Sequence, residues 1–238
     1  MLSAQQLVKS LDGLRVIEDV TLSLQRGETV GLIGPNGAGK TTTFRMLTGL
    51  LVPDLGRITL DGIDITHLPF YERARRGISY LPQDSFVPQS LSVEDNIAMV
   101  LEVRERSAKK RREIRKRLLS EFHLEGVRRK RVGVLSGGQR RRCEIAITLA
   151  CEPGFALLDE IFAGVDPNTV EEIASLIRRM TCRGIGVLIT DHNARELLQL
   201  VDRAYVIESG RLLAHGSAEA IIADQSVRRL YLGETFRL

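Results

Sequence analysis

The sequence has no tryptophan, only three cysteines and few aromatic residues of any kind, which make up 5% of its 238 positions. No stretch of about 18 apolar residues occurs, so no segment is expected to span a bilayer as a helix. The opening residues, MLSAQQLVKS, lack the charged and then apolar order of an export signal. Three cysteines without metal-type spacing indicate reduced thiols rather than disulfides or a zinc site. We therefore expect a globular protein of the cytoplasm.

The charge balance is slightly basic, with 34 Lys and Arg against 30 Asp and Glu. Lys and Arg concentrate in a few places, and the densest run is RERSAKKRREIRKRLL from Arg104. Around this run Ile114, Leu118 and Phe122 recur at helical spacing, which favours a helix with one apolar face and a solvated basic face. Because no aromatic residues are interleaved to stack on bases, we expect no nucleic-acid partner.

Strand-like and helix-like segments alternate along the chain. TVGLI from Thr29 is a buried strand that runs into a glycine loop, TTTFRMLTGLL is a helix, and GRITLDGIDI is a hairpin turning at Asp61 and Gly62. Ser92 and Asp95 have the spacing of a helix start, and the pattern stays helical to about Arg131. A helix, the strand FALLDE, a second helix and the strand GVLITDH follow. This order predicts an α/β fold with a mostly parallel core sheet.

The same pattern predicts one domain made of three parts. Residues 1–90 and 132–238 would form the catalytic core together with an antiparallel β subdomain, and residues 91–131 would form a helical subdomain. Ligands of such sheets gather beyond the carboxyl ends of the strands. We therefore expect the glycine loop and the polar ends of FALLDE and GVLITDH to meet at one edge.

The segment GPNGAGKTT has the pattern G-x-x-x-x-G-K-[ST] between a strand and a helix, the context that a phosphate-binding P-loop needs. Backbone amides of the loop and the positive end of the helix dipole would face the phosphates of a nucleotide. Lys40 would reach the β- and γ-phosphates, and the Thr41 hydroxyl would bind Mg²⁺. The predicted nucleotide-binding residues are Gly34, Pro35, Asn36, Gly37, Ala38, Gly39, Lys40, Thr41 and Thr42.

Two adjacent carboxylates end the apolar strand FALLDE, and next to a P-loop they indicate hydrolysis rather than binding alone. Asp159 suits a Mg²⁺ contact, and Glu160, expected on the other side of the strand, suits a general base that orients water. His192, after the strand GVLIT, could donate to the γ-phosphate or the attacking water. Gln83 ends another strand, and its amide could sense Mg²⁺ or that water. Thr41, Gln83 and Asp159 are thus the predicted metal-site residues.

The segment LSGGQRRR suggests a second phosphate-binding site, because a hydroxyl and two glycines precede a helix-like run. Its candidate residues are Ser136, Gly137, Gly138 and Gln139. Either the chain binds two nucleotides, or one site serves a nucleotide held elsewhere. The residues alone leave both possibilities open.

Taken in order, GPNGAGKTT, Gln83, LSGGQ, LLDE, AGVD and His192 make the chain resemble the ATP-binding subunits of ATP-binding cassette (ABC) transporters. The resemblance implies the P-loop ABC ATPase fold, ATP with Mg²⁺ as cofactors, and ATP-driven pairing of two copies. The LSGGQ signature of each copy, with Ser136, Gly137, Gly138 and Gln139, would then bind the γ-phosphate of the nucleotide held by the other copy. Asp166 would lie at the boundary between the copies. It also implies membrane-embedded permease subunits that contact Asp84 to Ser90, and a location on the cytoplasmic face of the inner membrane.

Within that family the chain is most similar to the ATPases of lipopolysaccharide exporters. The segments that carry this similarity are RARRGISYLPQ, EFHLEG, LSGGQRRR, FAGVDPN, LITDHNARE and YLGETFRL. ATPases of branched-chain amino acid importers share several of them and remain an alternative. A soluble DNA-repair or translation ATPase is a further alternative, disfavoured by the lack of a long insert between P-loop and signature and by the single cassette.

Three positions depart from the family pattern. Leu11 stands where an aromatic ring usually stacks on adenine, so we expect weaker base stacking. Ile161 follows Glu160 where proline is usual, which bears on how rigidly Glu160 is held. The residues from Asp84 to Ser90 differ from those of the exporters.

Overall fold

A computed structural model describes residues 1–233 and 236. Its ten strands form one mixed sheet. They are β1 (Leu2–Leu11), β2 (Leu14–Leu24), β3 (Thr29–Ile33), β4 (Leu55–Leu60), β5 (Ile63–Asp64), β6 (Ile78–Leu81), β7 (Phe155–Asp159), β8 (Gly186–Thr190), β9 (Arg203–Glu208) and β10 (Arg211–Gly216). The order across the sheet is β5-β4-β1-β2-β10-β9-β3-β8-β7-β6.

In the described part of the chain, seven helices lie between these strands in the sequence, and two more follow β10. They are α1 (Lys40–Thr48), α2 (Phe70–Arg75), α3 (Val93–Arg104), α4 (Ala108–Glu121), α5 (Gly137–Ala150), α6 (Pro167–Cys182), α7 (Ala194–Leu198), α8 (Ala218–Ala223) and α9 (Gln225–Val227). Single turns of other helix types occupy Glu125–Val127, Val132–Val134 and Arg228–Leu232.

The sheet divides into a parallel and an antiparallel half, which confirms the predicted fold class. Strands β6, β7, β8 and β3 pair in parallel, and β9 joins β3 in parallel. Strands β1, β2, β4 and β5 pair antiparallel, with the predicted hairpin between β4 and β5. The carboxyl ends of the parallel strands therefore share one edge, where a ligand site is expected.

The core strands are buried on both faces, so that successive residues enter different apolar clusters. On β7, Leu158 joins the cluster that includes the helices α3 to α6, while Leu157 joins the cluster between the sheet and α1. All five residues of β3, β7 and β8 are buried. This burial explains why these strands read as continuous apolar runs instead of alternating ones.

Helices α3 and α4 occupy the segment for which a helical subdomain was predicted. Ser92 caps α3, with its Oγ accepting from the backbone amide of Asp95, as the spacing predicted. The two ends of the segment meet at a bridge between Ser92 and Arg131. The basic helix α4 buries Leu118 and Leu119 and leaves its charged side towards solvent. Its predicted amphipathic character is thus confirmed.

Candidate functional site

The glycine loop has the geometry that the P-loop pattern predicts. It follows β3, and Gly39 occupies the N-cap position of α1 with a φ of 107°. A Cβ atom at Gly39 would lie 2.4 Å from Ile17 Cδ1, and one at Gly34 would lie 2.0 Å from the carbonyl oxygen of Ile207. The loop can therefore pass close to β2 and β9 only with glycine at these positions.

Lys40 is folded back into the loop and is only 6% exposed. Its Nζ donates to the carbonyl oxygens of Gly34 at 2.8 Å and of Pro35 at 2.9 Å. Burial lowers the pKa of Lys40, and the nearby carboxylates of Glu160 and Asp159 oppose this shift. Among the described residues, the hydrogen-bond partners of the ammonium are these two neutral carbonyls, and a phosphate would offer it anionic ones.

Residues from five separate parts of the sequence line one cavity of about 620 Å³. It opens over the loop at the carboxyl edge of the parallel strands, as predicted. The lining residues are Val16, Asn36, Gly37, Gly39, Lys40, Thr41, Thr42, Gln83, Glu160 and His192.

Asp159, the last residue of β7, is fully buried beside this cavity. Its Oδ2 accepts from the Tyr80 hydroxyl at 3.2 Å, while its Oδ1 has no hydrogen-bond partner among the described residues. Burial raises the pKa of Asp159, and the nearby hydroxyl of Thr41 acts in the opposite direction. A buried carboxylate oxygen without a donor, next to a threonine hydroxyl, is a suitable ligand set for a cation such as Mg²⁺.

Glu160 reaches the cavity by a different route from the one predicted. The strand ends at Asp159, and Glu160 has a φ of 47°, in the left-handed region. The expectation that strand pleating separates the two carboxylates was therefore wrong, since a left-handed turn does so. The Gln83 amide donates to Glu160 Oε2 at 2.6 Å, which joins the ends of β6 and β7.

Arg141 organises this turn, and the sequence reasoning missed it. The side chain is 7% exposed and donates to the carbonyl oxygens of Asp159 at 3.1 Å, Glu160 at 2.8 Å and Ile161 at 3.1 Å. Nη1 also pairs with Glu144 at 3.0 Å. Position 141 lies four and eight residues before the apolar positions 145 and 149 of α5. That helical spacing was the available signal that one arginine of LSGGQRRR faces inward.

His192 stands at the open side of the cavity, with 60% of its side chain exposed. Its Nδ1 lies 3.4 Å from Oδ1 of Asp191, a fully buried residue. Asp191 also accepts from the backbone amides of Phe162 at 2.7 Å and Asn193 at 2.9 Å. The turn after β8 is thereby fixed to the turn after β7.

The signature residues are not brought to the P-loop cavity. Ser136 caps α5 and forms a capping box with Gln139, in which each side chain bonds the backbone amide of the other. Gly137 instead lines a separate hollow beside Gln83 and Gly164. A Cβ at Gly138 would lie 2.8 Å from Thr169 of α6, so glycine allows α5 to approach α6 closely.

Three further predicted positions are found on the surface. Asp166 caps α6, and hydrogen bonds from Thr169 lower its pKa. Leu11, at the end of β1, is 37% exposed and does not line the cavity, whereas Val16 does. In the segment from Asp84 to Ser90, Phe86 is 45% exposed and Val87 is buried.

None of the helices in residues 1–233 combines the length and the apolar character needed to cross a membrane. Within that same part of the chain, no three His, Cys, Asp or Glu residues are grouped so as to hold a metal. The Mg²⁺ ligands expected from the sequence are of a different kind, since they combine the Asp159 carboxylate with the Thr41 hydroxyl and the Gln83 amide.

Comparison with known proteins gives consistent matches over the whole chain. A family model described as ABC transporter matches residues 17–163. A probable ABC transporter ATP-binding protein of Azorhizobium caulinodans is 57% identical over 237 residues, which cover 100% of this chain and 84% of that protein. The lipopolysaccharide export system ATP-binding protein LptB of Escherichia coli is 51% identical over 238 residues, covering 100% and 99%. The dimeric structure of MJ0796, a bacterial ABC transporter cassette, superposes with a TM-score of 0.83 at 25% identity and covers 92% of this chain and 99% of that one.

Proposed function

The chain belongs to the ABC transporter family of ATP-binding proteins, and from that membership we propose that it hydrolyses ATP to power lipopolysaccharide export. The observation that carries the substrate assignment is the 51% identity over the full chain to an ATP-binding protein of a lipopolysaccharide export system. The cavity at the edge of the parallel strands is the proposed catalytic site. The chain works on the cytoplasmic face of the inner membrane, bound to permease subunits.

The nucleotide phosphates bind in the loop from Gly34 to Thr42, with Lys40 as the cationic partner. Thr41, Asp159 and Gln83 are the residues that would hold Mg²⁺, and the unpartnered Asp159 Oδ1 supports this assignment. When bound, the ion would neutralise negative charge on the phosphates as the γ-phosphoryl group is transferred to water.

Glu160 is the general base that accepts a proton from the attacking water. Its carboxylate is oriented from one side by Gln83 and its backbone from the other by Arg141. Ile161, which replaces the usual proline, is completely buried, so packing as well as Arg141 holds the turn. His192 is placed to donate a hydrogen bond to the γ-phosphate from the exposed side.

ATP pairs two copies head to tail, and the signature of one copy completes the site of the other. The support for this arrangement is that Ser136 to Gln139 do not line the cavity of their own P-loop. Asp166, at the start of α6, lies at the boundary between the copies. The second phosphate-binding site of each chain, at LSGGQRRR, therefore serves the nucleotide bound by the partner.

The permease subunits contact the segment from Asp84 to Ser90. Phe86 offers an exposed aromatic ring there, and the buried Asn96 holds the segment by donating to the carbonyl of Pro88 at 3.1 Å. Because Gln83 directly precedes this segment and bonds Glu160, movement of the permease and the state of the catalytic base can be linked through one loop.

Hydrolysis is tested by two substitutions with different expected defects. Lys40→Ala should abolish ATP binding, whereas Glu160→Gln should keep binding and abolish turnover. Glu171→Gln, which changes an exposed glutamate on α6, is the matched control and should hydrolyse ATP normally. Parental turnover by Glu160→Gln would refute the assignment of the base.

Pairing is tested by light scattering with the Glu160→Gln background, in which ATP should hold two copies together. Adding Ser136→Arg should abolish this pairing but leave ATP bound to the chain, because the clash lies in the neighbour's site. Adding Ser175→Arg, on an exposed position of α6, is the control. Normal pairing by the Ser136→Arg form, or loss of ATP binding by its monomer, would overturn the proposal.

The substrate assignment is tested by retention on membranes that contain lipopolysaccharide-transport permeases. Phe86→Ala should release the chain from these membranes without lowering basal hydrolysis. Ile63→Ala, which alters an exposed residue on β5, is the control and should leave the chain bound. Equal retention by amino acid permeases would count in favour of the importer alternative.

A further inference from the structure

The positive charge of the chain is concentrated in one segment. Thirteen of the 28 residues from 104 to 131 are Lys or Arg, and four are Asp or Glu. This segment therefore has a net charge of +9, whereas the whole chain has +4, and the remaining residues together carry −5. The chain is thus acidic apart from α4 and the segments next to it.

The cations of α4 are not arranged to favour the dipole of the helix that bears them. Its first turn contains no acidic residue, and its last turn contains no basic one, so its cations crowd towards the positive end of the helix dipole. Arg111 with Arg115 and Arg112 with Lys116 are like-charged pairs at a spacing of four residues, which destabilise a helix. Of the seven cations of α4, only Lys110 has a carboxylate within 4 Å among the described residues. Glu113 forms oppositely charged pairs at the same spacing with Lys109 and Arg117, and Arg111 donates to the carbonyl oxygens of Glu105 and Arg106. The helix nevertheless keeps a large excess of cations on its surface.

Three exposed cations of α4 lie along one side of the helix, which also carries the exposed Glu113. Lys109, Arg112 and Lys116 are three and four residues apart, and all are exposed. We call these three residues the basic face. The preceding helix α3 ends at Arg104 and carries two exposed apolar residues towards that end. Val103 is 86% exposed and Met99 is 45% exposed.

A recess between the two helices adds a place for an anionic group. It has a volume of about 260 Å³ and lies between Leu101 and Glu102 of α3 and Arg111, Arg112 and Arg115 of α4. Arg112 belongs both to the recess and to the basic face. A phosphate at this position would be close to three guanidinium groups, which bind phosphate well.

We propose that the basic face and the exposed end of α3 bind the anionic phospholipid headgroups of the membrane. Cations beside exposed apolar residues are the combination that binds an anionic bilayer surface. Nucleic acid is disfavoured because segment 104–131 contains no Trp or Tyr, and its one phenylalanine, Phe122, is buried. The proposal rests on the proposed function for the presence of a membrane next to the chain.

The test measures binding of the purified chain to vesicles without any permease. At about 50 mM salt the chain should bind vesicles containing phosphatidylglycerol and not vesicles of phosphatidylcholine alone, and about 500 mM salt should release it. Replacing Lys109, Arg112 and Lys116 together by Gln should weaken binding roughly 100-fold, since each cation near an anionic surface contributes about fivefold. Inorganic phosphate at equal ionic strength should not displace the vesicles.

A control variant removes three cations from the β subdomain and β10 instead, by Lys9→Gln, Arg57→Gln and Arg211→Gln. It has the same net charge as the α4 variant and should bind vesicles like the parent chain. Basal hydrolysis should be unchanged in the α4 variant, which shows that it is folded. Equal loss in both variants, no preference for anionic vesicles, or tighter binding of RNA than of vesicles would overturn the inference. Retention by permeases is measured separately, so the proposed function can fail or stand independently.

Discussion

Replacing Arg141 by Met should destabilise the fold and slow ATP turnover together. Arg141 donates to the backbone of Asp159, Glu160 and Ile161, and its other partners are Glu144 and the carbonyl oxygen of Pro82. Methionine keeps most of the volume and the helix propensity but offers no donor. The change therefore removes hydrogen bonds without opening a large cavity.

The main energetic effect comes from Glu144. Only 3% of its side chain is exposed, and its Oε1 already lacks a partner among the described residues. Removing one member of a buried ion pair costs about 3 to 5 kcal/mol, because the other charge stays buried. Such a loss is a large part of the roughly 5 to 15 kcal/mol that stabilises a typical domain. Adding Glu144→Gln to Arg141→Met removes that charge and should restore part of the loss.

Urea unfolding gives the measurement. With an m value of about 2 to 3 kcal/mol/M, the midpoint of Arg141→Met should fall by about 1 to 2.5 M, and that of the double variant by less. Arg142→Met is the matched control one position along. Its partner Glu172 has a side chain that is 47% exposed, so the loss should stay below about 1 kcal/mol. Equal midpoints for the two single variants, or parental turnover by Arg141→Met, would refute the reasoning.

Much of the site could be predicted because its parts obey local rules. A glycine loop between a strand and a helix has few possible conformations, and parallel strands bring their carboxyl ends to one edge. The meeting of Lys40, Gln83, Glu160 and His192 in one cavity follows from these two facts. Helix starts such as Ser92 were equally predictable, since a cap bonds to an amide only three residues away.

Other features depend on tertiary packing, which local patterns do not contain. The left-handed turn at Glu160 is held by Arg141, a residue 19 positions away. The strands β9 and β10 were not assigned, although Ser209 and Gly210 form a turn with positive φ between them. The end of YLGETFRL, used for the family comparison, lies partly outside the described residues, which omit 234, 235, 237 and 238. The role proposed for the signature depends on a second copy, which the pattern of one chain does not contain.

Three further changes test the nucleotide site and its support. Leu11→Tyr should tighten ATP binding by about 1 kcal/mol in a nucleotide titration, because a ring can stack on the base where an exposed leucine cannot. Arg73→Lys should lower the urea midpoint almost as much as Arg73→Met, since the fully buried guanidinium, whose pKa burial lowers to about 10, donates to four backbone carbonyls that an ammonium cannot reach together. Asp159→Asn should stabilise the nucleotide-free chain at neutral pH. Burial raises the pKa of Asp159 above its ordinary value of 3.8. The free energy of unfolding therefore falls as the pH rises from that ordinary value through the pKa that Asp159 has in the folded chain. Unfolding midpoints of the two forms should therefore converge as the pH falls to the ordinary carboxyl range, and a difference that is constant with pH would contradict the assignment of a buried, charged carboxylate awaiting a cation.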